Sequence, residues 1–174
     1  MQGNPATAEW VSQARRGSGD AWTRLFRRFA PVVHGVLLGQ VQTADAEDLT
    51  QQVFETALAR LAELREDAAF PGWLLSIARR AAHDLRRRVT PLTGLEHDAP
   101  AGCATHEDRL DAERVLAAIR RLPEAYRDTL VLRLVEGWSG PEIAAATGLT
   151  PGSVRVNLHR GMALLREALA ETGA

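Results

Sequence analysis

The sequence predicts an all-α protein: two small helical domains joined by a flexible acidic linker, the second containing a helix-turn-helix. Three observations predict it. Apolar residues recur at three- and four-residue intervals through nearly every long segment, with no convincing alternating strand. That period lapses once, in VTPLTGLEHDAPAGCATHED over 89–108, where Gly and Pro breaks crowd together. Finally, SGPEIAAATGLTPGSVRVNLHRGMALL, 139–165, spells two short helices around a tight glycine turn.

Pro5 to Arg16 reads as a first short helix with Trp10, Val11 and Ala14 inward. Asp20 opens a second, in which Trp22, Leu25, Phe26, Phe29, Val32, Val33, Val36 and Leu37 recur at helical spacing. Pro31 lacks the N–H a helix interior needs and predicts a kink there. A third helix spans about Asp45 to Leu64, with Leu49, Val53, Ala57, Leu61 and Leu64 in register. A fourth starts at Pro71 and reaches about Arg88, with Leu74, Ile77, Ala81 and Leu85 inward. Beyond the break, periodicity resumes at Leu110 with Val115, Ala118, Ile119 and Leu122. Pro123 begins the next helix, with Tyr126, Leu130, Leu134 and Val135 inward and Gly137 closing it. The boundaries are therefore 1–89, 90–108 and 109–174.

The helix-turn-helix carries its own punctuation. Ser139 caps its first helix, with Glu142 three residues on as a capping box. Gly148 supplies the positive φ that ends the helix, and Leu149 is expected to plug the turn. Thr150 caps the second helix and Pro151 occupies its first position, where no donor is lost. Val154, Leu158, Met162, Leu165 and Leu169 form one apolar stripe at 100° per residue. Ser153, Val156, His159 and Arg160 lie opposite, flanked by Arg155 and Asn157. No acid interrupts the run from Glu142 to Glu167, whereas Arg155, Arg160 and Arg166 fall within it. That electropositive face suits phosphates and guanine edges in a DNA major groove.

The first half carries a second charged helix. In FPGWLLSIARRAAHDLRRR, 70–88, Arg79, Arg80, His83, Arg86 and Arg87 share one broad side, with Trp73 near the helix start. Such arginines hold phosphates, and an indole at the helix head either stacks on an unpaired base or packs in the core. In AEDLTQQVFETAL, 46–58, acids and amides crowd a helix start, where the helix dipole favours them.

Bulk numbers narrow the classes. The 174 residues are 45% apolar, enough for packed cores, and the net charge is −1. Charge is unevenly spread: +2 over 1–89, −4 over 90–108 and +1 over 109–174. A lone Cys103 excludes an internal disulfide, and three ligands in one acidic loop (His97, Cys103, His106) make too thin a case for a metal. No apolar run approaches a membrane span and no signal-peptide core opens the chain, so a soluble cytoplasmic protein without membrane insertion is expected. No phosphate loop, nucleophilic triad or paired-carboxylate pocket is legible, so neither an enzyme nor a cofactor is expected.

Taken in order, AEDLTQQVF, FPGWLLSIARRAAHDLRRR and LPEAYRDTLVLRLVEGWSGPEIAAATGLTPGSVRVNLHRGMALLRE resemble three motifs of the bacterial sigma-70 family, in its extracytoplasmic-function group. The resemblance runs from about Gly19 to Leu169, apart from the linker. It implies a promoter-specificity subunit that binds core RNA polymerase, recognises the −10 and −35 elements and promotes opening of the DNA. Asp45, Glu47, Asp48, Gln51, Gln52 and Glu55 would dock on the β′ clamp helices, and the β flap is the other implied contact of core polymerase. Trp73, Arg79, Arg80, His83, Arg86 and Arg87 would meet the −10 element. Ser153, Arg155, Val156, Asn157, His159 and Arg160 would meet the −35 element. The acidic linker would thread toward the RNA exit path, and an anti-sigma factor is an implied partner. The chain departs from the group at Leu75, Ser76 and Arg80, where an aromatic, a basic residue and asparagine are frequent, and at Val156, Asn157 and Met162 in the reader helix. A thymine methyl contact by Val156 would substitute for a polar one. The alternative is a stand-alone helix-turn-helix regulator, which would leave the 46–58 acids and the basic helix without a role.

Overall fold

The computed structural model describes residues 5–89 and 106–172. Among them lie α1 (Pro5–Arg15), α2 (Gly19–Leu38), α3 (Thr43–Ala59) and α4 (Phe70–Val89), then α5 (His106–Arg121), α6 (Glu124–Leu134), α7 (Gly140–Thr147) and α8 (Pro151–Thr172). Two short 3-10 turns connect α3 to α4, and no strand occurs among the described residues.

Helix α2 is the spine of the N-terminal half. Ser18 accepts the Ala21 N–H at its start, and Leu25, Phe29, Val32, Val33, Val36 and Leu37 are buried along one face. Each such side chain contributes about 1.5–3 kcal/mol when fully buried. That packing carries the helix unbroken through Pro31, against the roughly 3 kcal/mol an interior proline costs. Helices α1, α3 and α4 lie against α2. Helix α3 ends at Ala59 rather than continuing to Leu64. A 3-10 turn over Leu61–Glu63 still turns Leu61 and Leu64 into the core, which is why helical spacing persists in the sequence beyond the helix.

In the C-terminal half α6 is the central helix, packed between α2 on one side and α8 on the other. It is therefore buried all round from Asp128 to Leu132 rather than along a stripe. Leu134 and Val135, expected inward, are 43% and 46% exposed, while Leu132 and Glu136, four residues apart, face Gly35 of α2; the two fall on the other side of the chain. Helix α5 begins at His106, inside the stretch read as linker; the rest of that stretch, with His97 and Cys103, lies outside the described residues.

The two halves share one hydrophobic cluster. Helix α2 meets α6, and α4 meets α7. Gly35 and Gly39 make the first approach possible: a Cβ on Gly35 would stand 3.3 Å from Leu132 Cδ2, and one on Gly39 3.1 Å from Val131 Cγ2. Across the same boundary Arg79 donates to Asp128, Arg120 Nε donates to the Leu38 carbonyl at 3.1 Å, and the Thr43 hydroxyl donates to Glu113.

Candidate nucleic-acid and partner interfaces

The helix-turn-helix forms as its punctuation dictates. The Ser139 N–H and hydroxyl both donate to Glu142 Oε2, at 2.8 and 2.6 Å, and the Glu142 N–H returns to Ser139 Oγ at 3.4 Å. Those bonds hold the Glu142 carboxyl below the usual glutamate range. Gly148 adopts φ 74° and its N–H donates to the Ala144 carbonyl, closing α7. Thr150 Oγ1 accepts the Ser153 N–H at 3.1 Å, starting α8. Leu149 does not plug the turn: it is 37% exposed, since Ile143, Ala146 and Val154 already fill the angle between the helices.

On α8, Val154 and Leu165 are buried and Leu158, Met162 and Leu169 partly so, the expected stripe. Ser153, Arg155, Val156, His159 and Arg160 are exposed together on the other side. Val156, 45% exposed, sets an apolar spot amid polar groups, the chemistry a thymine methyl requires. Asn157 is partly buried, and its Nδ2 donates to the Ala125 carbonyl at 2.9 Å, a bond that ties α8 to the start of α6.

Helix α4 gives a mixed result. Arg80, His83 and Arg87 are exposed and Arg86 is partly so. Arg79 is not part of that open face. Its Nε and Nη2 reach Asp128 Oδ2 at 3.0 and 2.6 Å, a charge-assisted pair. Burial pushes the Asp128 carboxyl above its ordinary range, and the Arg79 guanidinium opposes that shift. Trp73 is half-buried, 6.0 Å from the Phe70 ring, which itself stands 5.5 Å from Phe29. The indole is thus anchored on one side and open on the other, which accommodates both of its sequence readings. Leu75 is 1% exposed, a core residue that cannot touch a base.

Asp45, Glu47, Asp48, Gln51, Gln52 and Glu55 all project from the exposed side of α3, an acid-and-amide ridge. Beside it runs a feature the sequence reading missed: a groove in which Trp22 and Phe26 of α2 meet Phe54 and Leu58 of α3. Phe26 is 41% and Leu58 50% exposed, and Phe26 lies edge-on to Phe54 at 4.7 Å. The available signal was phase: Leu58 falls beside Ala57 in the α3 register, off the buried stripe. An apolar groove rimmed by carboxylates fits a partner helix with apolar anchors and basic flanks. Among the described residues no cluster of His, Cys, Asp and Glu could hold a metal, and no helix is long and apolar enough to cross a membrane.

Comparison with known proteins covers both halves. Residues 25–90 match the Sigma-70 region 2 family, and residues 112–165 match Sigma-70, region 4. The chain is 37% identical to RNA polymerase sigma factor CarQ of Myxococcus xanthus, over 92% of this chain and 96% of that one. It is 33% identical to ECF RNA polymerase sigma factor SigE of Mycolicibacterium smegmatis, over 95% of this chain and 68% of that one. In three dimensions it resembles CnrH of Cupriavidus metallidurans in complex with the cytosolic domain of CnrY. That likeness has a TM-score of 0.65 at 25% identity and covers 97% of this chain and 99% of that one. RpoE of Bartonella quintana in complex with the anti-sigma factor NepR shares the fold, with a TM-score of 0.56 at 21% identity over 85% and 96% of the two chains.

Proposed function

The chain belongs to the sigma-70 family, in its extracytoplasmic-function group, and from that premise we propose how its surfaces divide the work of transcription initiation. It joins core RNA polymerase, reads the −10 and −35 promoter elements and favours opening of the DNA between them. It performs no bond chemistry of its own; the polymerase does that, in the cytoplasm. Residues 1–89 serve the polymerase and the −10 element, and residues 109–174 serve the −35 element.

One observation carries the reading. The α3 ridge, from Asp45 to Glu55, is exposed and adjoins an exposed aromatic groove. A stand-alone helix-turn-helix regulator has no use for such a surface; a dissociable polymerase subunit requires one. The ridge and groove dock on the clamp helices of β′. Exposed Leu134 and Val135, at the end of α6, provide an apolar contact for the β flap. Arg155, His159 and Arg160 contact the −35 duplex, with Val156 against a thymine methyl and Ser153 at the helix start. Arg80, His83, Arg86, Arg87 and the open side of Trp73 hold the −10 strand as it unstacks. Solved relatives are held by CnrY and by the anti-sigma factor NepR, and a protein of that class is the proposed regulator here.

The deciding experiment is capture of core polymerase by the tagged chain, followed by run-off transcription from promoters mapped after overexpression. New start sites that depend on the chain are expected. Specific duplex binding with no polymerase association would instead establish the stand-alone regulator.

A further inference from the structure

Four helices and one connection converge on a cleft that the promoter-reading and polymerase-docking surfaces leave unused. It encloses about 340 Å³ and is lined by Thr7 of α1, Arg28 and Phe29 of α2, Pro71 of α4, Trp138 before α7, and one side of α7 itself. That size falls within the roughly 300–1,000 Å³ of sites that take small organic ligands. Neither the reader residues of α8 nor the α3 ridge lines it. Its walls are fixed before anything enters. The Trp138 N–H donates to the Leu132 carbonyl at 3.0 Å, and Arg133 Nη1 donates to the Trp138 carbonyl at 2.9 Å. Trp138 is thus held through both of its backbone polar groups, which sets where its indole stands. Phe29, on the α2 wall, is buried and lies edge-on to Phe70 at 5.5 Å. Pro71 and Pro141 add two stiff apolar rings. A flat apolar group entering such a cleft orders little of the protein, so less of its contact energy is lost to entropy.

The charge at the cleft selects the ligand. Arg28 is exposed, and its guanidinium carbon stands 5.8 Å from the Phe29 ring centroid, so the cation is turned over the aromatic wall. Among the described residues no carboxylate lies within ion-pair distance of Arg28. Glu142, the acid on the wall, instead accepts from the Ser139 N–H and hydroxyl. The cleft therefore combines apolar walls, aromatic surface and an uncommitted guanidinium, whose planar fork matches a carboxylate or a phosphate. Arg24, one turn earlier on α2 and also exposed, adds a second positive charge beside it.

We propose that this cleft is a binding site for a small aromatic anion, its ring against Trp138 and Phe29 and its carboxylate or phosphate paired with Arg28. The proposal goes beyond the polymerase and promoter roles and does not depend on them. Because α7 forms one wall, the ligand touches the first helix of the helix-turn-helix directly, and none of the α8 reader residues is covered.

The test titrates the full-length chain, without polymerase or DNA, by calorimetry. The probes are naphthoate and adenosine monophosphate, with naphthamide and adenosine as their uncharged counterparts. Saturable one-to-one binding of at least one anion is expected, with a dissociation constant of roughly 10–1,000 μM for ligands of this size. Binding of naphthoate alone assigns a carboxylate ligand, and binding of adenosine monophosphate alone a phosphate one. The uncharged counterpart should bind about tenfold more weakly. Arg28→Gln should erase that difference while leaving the uncharged compound's affinity unchanged. Ala145→Trp, at an exposed position of α7 on the cleft wall, should fill the space and abolish binding of both. Arg28→Gln decides alone if Ala145→Trp loses helicity by circular dichroism. No saturable binding of either anion up to about 10 mM overturns the site, as does binding that both substitutions leave intact. Polymerase capture is read separately, so its failure would defeat the promoter-specificity reading and leave this site standing.

Discussion

Gly161 sits in the interior of α8 where that helix crosses α6, and its replacement by alanine tests whether this crossing positions the reader face. A Cβ built there would lie 3.0 Å from Leu130 Cδ1, 3.1 Å from Leu130 Cγ and 3.1 Å from Tyr126 Cβ. Two of those atoms sit close to the α6 backbone, so rotation of a flexible tip cannot relieve the contact; the helices must part by a few tenths of an ångström. Two effects then compete. Gly→Ala inside a helix gains about 0.8–1 kcal/mol of propensity. Overpacking a filled crossing costs about 1–3 kcal/mol. The second wins, and Gly161→Ala should destabilise by about 1 kcal/mol, a fall of about 2–4 °C in Tm. Gly152 is the internal control in the same helix. Its Cβ would meet only Thr150 Oγ1, at 3.8 Å, so Gly152→Ala should be neutral or raise Tm. Thermal melts followed by circular dichroism read both, and hydrogen exchange at α6 and α8 amides localises the loss. A Gly161→Ala protein that melts at or above the unsubstituted one would refute the claim that close approach, not helix propensity, fixes this glycine.

Three further outcomes are expected. His159→Ala with Arg160→Ala should flatten −35 selectivity in run-off transcription while polymerase capture persists, whereas Asn157→Ala should cost about 0.5–1.5 kcal/mol of stability through its lost bond to Ala125 and leave selectivity intact. Asp48→Arg should reverse the pattern, abolishing polymerase capture while binding of the −35 duplex is kept; equal loss of both by this variant and the His159/Arg160 pair would contradict the division of surfaces. Ser139→Ala should cost about 1 kcal/mol near neutral pH. Because Ser139 holds the Glu142 pKa below the ordinary glutamate value, the cap's ionic part is complete above that value and is lost as pH falls through the folded one. The Tm gap between Ser139→Ala and the unsubstituted chain should therefore narrow in acid, and a gap that widens instead would mean that the hydroxyl alone makes the cap.

What the sequence determined by itself is the local code. Caps, glycines and prolines act within a few residues, so Ser139, Gly148, Thr150 and Pro151 announced the turn they make, and the 3.6-residue period announced most buried stripes. The reader face of α8 was legible for the same reason, since one apolar stripe leaves only one opposite side. Tertiary structure decided everything that depends on which helix lies against which. Leu134 and Val135 continue the apolar period but lie off the side of the chain that Leu132 and Glu136 turn to α2, and Phe26 with Leu58 forms a groove only because α2 and α3 meet there. Asn157 became a tether and Arg79 one side of a partly buried ion pair because their partners, Ala125 and Asp128, come from 32 and 49 residues away. Period and composition describe a helix face. They carry no information about a partner distant in sequence, and long-range packing alone brings such partners within hydrogen-bond distance.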